Sequence, residues 1–481
     1  MDSSTSNFLK IRFNLNNFLD LLEGIEETLP TIRKNIYKEY KNKENNKNNF
    51  VEKFSYDKEY DQEQKLIRFK MPFDKQRQMN IFYREINKSV KMAKIIPSNF
   101  FISIISEYDA YLGNLIREIY LAKPDIINSL EKNLTFNEIM EFGSIDKIKE
   151  FVIEKDIESI LRKSHLEQLN CLEKKLSLPL TKGLHILPEF IEITERRNLF
   201  VHCNGVVSSQ YVKICTENKV DLKNIEVGTT LNVPNSYIFR AIAIVSELVI
   251  KLTHILWLNI FKSQEESKPA YDSLIHVSYE LLQKEKYDLC IDILSLFSES
   301  KSKALDDITK RYLVINLAIA FKFSGKAEKC SKLLALHDWS AVSYLFKMAE
   351  KILNEDYEKA SKYMKKAYLA EEFKKEYLID WPLFKLFRER DEFKRACEDL
   401  FTQDEMNQLT IPDENEGDCE RGELLSIADV KAEVEAEAKA EVEAEAKTET
   451  ETETETETET ETETETTNEA EPRSETKVKT E

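Results

Sequence analysis

Three residue types at close spacing could do chemistry on a phosphate: Arg197, Asn198 and His202, within Glu195-Arg196-Arg197-Asn198-Leu199-Phe200-Val201-His202-Cys203-Asn204-Gly205. An imidazole titrates near neutrality, so it can take or return a proton. A guanidinium stays charged and offers a fork of N–H donors that matches phosphate oxygens. A carboxamide can orient either one. Such a set can supply a base or acid and a cation beside a phosphate. No metal-ligand spacing is present and nothing suggests a cofactor pocket, so neither a metal nor a cofactor is expected.

These residues need a helix to hold them. Pro188 suits a first helical turn, Phe190, Ile193, Phe200 and Val201 supply apolar positions, and Asn204-Gly205 can take the left-handed conformation that ends a helix. On that helix Asn198 and His202 lie about 40° apart, and Arg197 and His202 about 140°. The arginine and histidine therefore straddle a groove. Two antiparallel copies across a two-fold axis would bring both pairs around one cleft, so a homodimer is expected.

The Arg-Asn-x-x-x-His pattern resembles the signature of the HEPN superfamily. The resemblance covers about Pro97 to Phe261, including "EYDAYLGNLIREIY", "SIDKIKEFVIEKDIESILRKSHLEQLNCLEKK" and "ERRNLFVHCNGVVSSQYV". It implies a helical bundle, a metal-independent endoribonuclease acting as a dimer, RNA as substrate, and catalytic roles for Arg197, Asn198 and His202; attack by a ribose 2′-OH would leave a 2′,3′-cyclic phosphate, and DNA, which lacks that group, should resist. It also implies an acidic residue on an early helix that orients the histidine or arginine; Glu107 and Asp109 are the candidates. A bacterial toxin or phage-defence setting is a further implication of the family. Its inactive binding members imply the alternative, an interaction scaffold that binds protein or RNA.

The surrounding chain reads as all-α. Gly and Pro are scarce, at 9 and 11 of 481 residues, which favours helix. Residues 1–96 form an unassigned extension in which Phe8, Ile11, Phe13, Leu15, Phe18 and Leu21 begin as alternation and drift toward helical spacing. "KNIYKEYKNKENNKNNF" after them reads as a loop or a frayed helix end. From Ser98, the residues Phe101, Ile104, Ile105, Tyr108, Leu112, Leu115, Ile116 and Ile119 mark a long amphipathic helix ending before Pro124. Thr135-Phe136-Asn137-Glu138 is a capping box, Gly143 ends its helix, and Ser144 caps the next. His165 reads as a surface or boundary histidine. The apolar run Tyr237–Phe261, interrupted by Arg240, Glu247, Lys251 and His254, reads as a core helix closing a bundle over 97–262, and not as a membrane span.

Ser263–Pro269 is the expected domain boundary. Beyond it, 270–405 contains three helical hairpins with Tyr287, Ala327 and Tyr357 at equivalent points. Their separations of 40 and 30 residues average near the roughly 34 of tetratricopeptide repeats, which these resemble. That resemblance implies a protein partner on the repeats. From 413 to 481 the chain is an acidic, low-complexity tail expected to be disordered. It holds 26 acidic and 7 basic residues, so it accounts for the whole net charge of −19, and the rest of the chain balances at 62 of each sign. The acidity therefore does not argue against a nucleic-acid partner for the folded part. Seven scattered cysteines and the lack of an apolar leader in "MDSSTSNFLKIRFN" fit a reducing cytoplasm.

Overall fold

The computed structural model describes residues 3–61, 66–128, 134, 136–222, 225–298 and 305–402. Thr135 of the expected capping box and the acidic tail lie outside them. The described residues are predominantly helical, with a single two-stranded hairpin among them, so the protein is all-α.

Two long helices dominate the N-terminal part, α1 (Ser3–Phe54) and α2 (Phe73–Ala122), joined by an antiparallel hairpin of β1 (Tyr56–Asp61) and β2 (Leu66–Lys70). The hairpin has no counterpart in the sequence reading. The "KNIYKEY" stretch is neither loop nor frayed end but the interior of α1. Its few apolar side chains suffice because the partner is one helix and not a full core: Phe50 meets Phe82 at 5.3 Å between ring centres, and Lys43 Nζ donates to Ser89 Oγ at 2.8 Å. Likewise α2 starts well before Ser98, and Pro97 lies buried inside it. A proline there removes one backbone hydrogen bond, and pairing with α1 carries the helix through.

The first half of α1 is core. Phe8, Ile11, Leu15, Phe18, Leu22, Ile25 and Leu29 recur at three- and four-residue steps and are all buried, whereas Phe13 is 63% exposed and breaks the apparent alternation. Phe8 packs on Trp257 and Phe261, and Phe18 on Tyr111. The extension is thus one wall of the bundle.

Four short elements follow: α3 (Pro124–Asn128), α4 (Phe136–Phe142), α5 (Ile145–Leu161) and α6 (His165–Leu176). Gly143 takes φ 69° after α4, and the Ser144 hydroxyl accepts from the Lys147 amide at the start of α5. Next come α7 (Leu187–Cys203), α8 (Ser209–Glu217) and α9 (Asn235–Ile260). Although α9 is long and apolar enough to cross a membrane, 83% of its most apolar window is buried within the protein. His254 on it is fully enclosed: Ile250 O lies 2.8 Å from Nδ1, and Ser273 Oγ of the next helix lies 3.3 Å from Nε2.

Ser263–Pro269 is the capped first turns of α10 (Gln264–Gln283), and one hydrophobic core runs continuously from Phe8 to Phe401. Three helix pairs follow: α10 with α11 (Tyr287–Ser298), α12 (Asp307–Phe323) with α13 (Ala327–Ala335), and α14 (Tyr344–Leu353) with α15 (Tyr357–Leu369). Tyr287, Ala327 and Tyr357 each open the second helix of a pair. Ala318, Ala320, Ala349, Ala360 and Ala367 are buried, which lets the helix axes approach closely. After α16 (Tyr377–Asp380), Trp381, Phe384 and Phe387 seal the end under α17 (Asp391–Leu400).

Two predictions follow from this core. Leu15→Ala, at a fully buried site, should lower unfolding stability by about 2–5 kcal/mol, while Phe13→Ala should stay within about 0.5 kcal/mol, as read by urea denaturation. Burial pushes the His254 imidazole down to about 4, so the folded chain refuses a proton that the unfolded chain takes up below the ordinary histidine value of 6.5. Stability from this group is present above that value and is lost as pH falls toward 4, on the order of 3 kcal/mol. A urea midpoint that drops no more steeply over this range in wild type than in His254→Gln would refute it.

Candidate functional site

Helix α7 carries the Arg-Asn-x-x-x-His stretch, and its neighbours fix it at both ends. Pro188 lies in its first turn. At the other end Asn204 takes φ 50° and Gly205 φ 82°, and the Gly205 amide donates to Leu199 O at 3.1 Å. A side chain at Gly205 would meet Leu231 O and the Phe200 ring, both at 3.0 Å, so only glycine fits. Leu231 N donates to Gly205 O, and a small core of Leu199, Val207, Tyr211, Cys215 and Leu231 clamps the end of α7 to α8.

The adjacent arginines have different surroundings. Arg196 is 12% exposed and pairs with Glu192 at 2.7 Å, donates to Asn232 O at 3.1 Å, and lies 4.0 Å over the Tyr237 ring. Glu192 also accepts from the hydroxyls of Tyr211 (2.6 Å) and Tyr237 (2.7 Å). Burial, then the Glu192 charge, holds both phenols above their usual range. This network locks α7 in place. Arg197, one residue on, is half-buried, donates to Asn198 Oδ1 at 3.2 Å and Ser106 Oγ of α2 at 3.5 Å, and has a buried Nε with no partner.

His202 lies on the last turn of α7, exposed, and makes no hydrogen bond among the described residues. The imidazole is therefore open to solvent and not sealed in the core. Phe200 meets Phe101 of α2 at 6.0 Å and Phe190 meets Tyr108 at 5.2 Å, so α7 runs antiparallel to α2 and its histidine end points toward Pro97.

Of the acidic candidates, Glu107 is exposed. Asp109 is half-buried and faces α6, with His165 Nε2 at 3.3 Å, close but without hydrogen-bond alignment, and Gln168 Nε2 at 3.4 Å. Among the described residues neither carboxylate bonds to Arg197 or His202. His165 is not a surface histidine: it is 7% exposed, enclosed by Tyr108 and Phe190 because the capping box of Ser164 and Glu167 turns the first residue of α6 inward. Glu195 completes this cluster. Burial holds its carboxyl above the usual range, an effect that the charge of His165 and a hydrogen bond with Asn198 offset only in part. A polar chain thus joins Ser106, Arg197, Asn198, Glu195, His165 and Asp109. Ser106 and Gln168 escaped the sequence reading, since a lone polar residue on a helix carries no signal of its partner.

Elsewhere His185, Glu247 and Asp292 bring three ligand atoms within 4.8 Å of one another. The buried Lys251 ammonium already neutralises Glu247, which fits a paired carboxylate better than a metal ligand.

Fold and site together define an all-α protein with an arginine–asparagine–histidine group at a pinned helix end. No protein-family model matches this chain, and comparison with curated proteins and with solved structures likewise gives no match.

The contrast along α7 sets a prediction. Arg196→Ala strands Glu192 in a buried site and should cost about 3–5 kcal/mol. His202→Ala should change stability by no more than about 0.5 kcal/mol. Thermal melts of the two variants check both.

Proposed function

We propose that this chain is a metal-independent endoribonuclease of HEPN type, working in a reducing cytoplasm with a site shared across a homodimer. The observation that carries the reading is His202: a solvent-open imidazole with no hydrogen-bond partner among the described residues, at a rigidly held helix end, five residues and about 140° round the helix from Arg197. In the shared site the His202 of one copy takes the 2′-OH proton, the 2′-oxygen attacks phosphorus, and the P–O5′ bond breaks as the His202 of the other copy protonates the leaving 5′-oxygen. Arg197, whose Nε has no partner, offsets the charge that develops on the phosphoryl oxygens. Asn198 holds Arg197 at 3.2 Å and so presets its fork. The arginine and histidine point away from each other around one helix, which is the reason for placing a second copy opposite. On this reading the helix pairs from α10 to α15 are tetratricopeptide-like repeats that bind a protein regulator.

A specific observation favours a second reading, an interaction scaffold. Leu336 after α13 and Leu369 at the end of α15 are 78% and 76% exposed at corresponding helix ends, which is where a protein partner would bury apolar surface.

Purified protein incubated with a structured RNA in EDTA should cleave it, with a 2′,3′-cyclic phosphate at the new 3′ end, and His202→Ala and Arg197→Ala should each lower the rate by at least about 100-fold. Intact RNA in every reaction, with all three proteins melting alike, favours the scaffold. Sedimentation of a strict monomer that still cleaves would refute the shared site.

A further inference from the structure

The distal halves of α1 and α2 stand apart from the core in composition and burial. Among described side chains from 31 to 96, Met79 and Ser89 are the buried ones; the rest are exposed or half-buried. The span holds 17 Lys and Arg against 9 Asp and Glu, a surplus of 8, although residues 1–412 balance to zero, so the remainder of the body carries a matching acidic surplus. The two-helix arm is therefore net basic against a net acidic remainder of the body.

Its cations are also ordered. Arg77, Arg84, Lys88 and Lys91 are exposed and form no ion pair among the described residues. At 100° per residue they fall within a sector of about 60°, and they span about 21 Å along α2. Continued along the same helix, that sector reaches Ser106, whose hydroxyl meets Arg197. The stripe thus leads along one face of α2 to the candidate site, about 22 Å beyond Lys91. At the junction Arg33 Nη2 donates to Val233 O at 3.5 Å, which ties the arm to the loop that clamps α7. Exposed aromatic rings lie elsewhere on the arm: Tyr83 is 40% exposed with Lys47 Nζ 5.7 Å from its centre, and Tyr37 on α1 is 60% exposed with Lys41 Nζ at 5.8 Å.

We propose that this arm is a single-strand RNA track, in which the Arg77–Arg84–Lys88–Lys91 stripe binds successive phosphates and leads the chain to Arg197 and His202. The proposal rests on the ribonuclease reading for its choice of polyanion. Charge complementarity supplies the affinity, and exposed tyrosines beside lysines offer faces on which bases stack without sequence preference. A neutral or basic partner would gain nothing from four aligned cations that form no ion pair among the described residues, and an acidic polypeptide would lack bases to stack.

Binding is measured by fluorescence anisotropy of a labelled oligouridylate on full-length His202→Ala protein, so that cleavage does not intervene. The variant Arg77→Gln/Arg84→Gln/Lys88→Gln/Lys91→Gln should bind at least about tenfold more weakly, with the slope of log affinity against log salt reduced by about 3. Arg77→Lys/Arg84→Lys/Lys88→Arg/Lys91→Arg, which keeps the charge, should bind like the parent. Lys329→Gln/Lys332→Gln/Lys362→Gln/Lys374→Gln, which removes equal charge from the helix pairs, should also bind like the parent. Equal binding by the arm and helix-pair variants, or polyglutamate binding as tightly as the oligouridylate, overturns the track. Arm-dependent binding in a protein that never cleaves would leave the track standing and remove the nuclease. Cleavage with unchanged KM in the arm variant would do the reverse.

Discussion

The pairing of α1 with α2 is the constraint on which the rest depends. Over its first half α1 buries a seven-residue apolar stripe against α2 and the far end of α9, and this closes the bundle. Over its second half the same pairing has thin apolar content, rings such as Phe50 and Phe82 spaced along a polar seam. One continuous α2 therefore belongs to two environments. Its buried face from Phe101 to Tyr120 is bundle core, and an adjoining face presents Ser106 and Asp109 to α7 and α6. Fixing α2 fixes the relation between them.

The second organising interaction is the Glu192 hub. A carboxylate inside a helical protein is costly unless its lone pairs are filled, and here two phenols and a guanidinium fill them. A rotation of 100° around α7 separates Arg196, consumed by that hub, from Arg197, which keeps a buried Nε without a partner. Rigidity is thus supplied by one arginine, leaving the next in sequence available for chemistry. The same division holds among the histidines: His254 is enclosed and His165 is packed between rings, whereas His202 is open.

Much of this was legible in the sequence wherever periodicity and stop signals coincide. The stretch Phe101 to Ile119, the left-handed Asn204-Gly205 stop, the buried character of α9, and the equivalent places of Tyr287, Ala327 and Tyr357 in the helix pairs all follow from spacing and turn chemistry. The arm was not legible, because a two-helix seam needs few apolar residues and its Lys- and Asn-rich stretch looks like a loop. The start of α2 was missed for the same reason: strong apolar periodicity begins only after Ser98, whereas pairing with α1 carries the helix back through Pro97 to Phe73. His165 was misread because its burial is set by where α6 begins relative to α2, a tertiary relation that no local pattern encodes. The motif could place Arg197, Asn198 and His202 on a helix, but not the Ser106 and Asp109 contacts contributed by a helix some 90 residues earlier.

Pro30 and Pro97 lie inside antiparallel helices, at heights that differ by less than about two turns given the pairings of Lys43 with Ser89 and Phe50 with Phe82. Each withholds an amide from a carbonyl one turn back, that of Glu26 or Ala93. Two weakened rungs at nearly one level, with intact ladder above and below, concentrate compliance there, as a notch cut on both sides of a rod decides where it flexes. That level is also where the basic arm leaves the bundle, and the Arg33 bond to Val233 O braces it there.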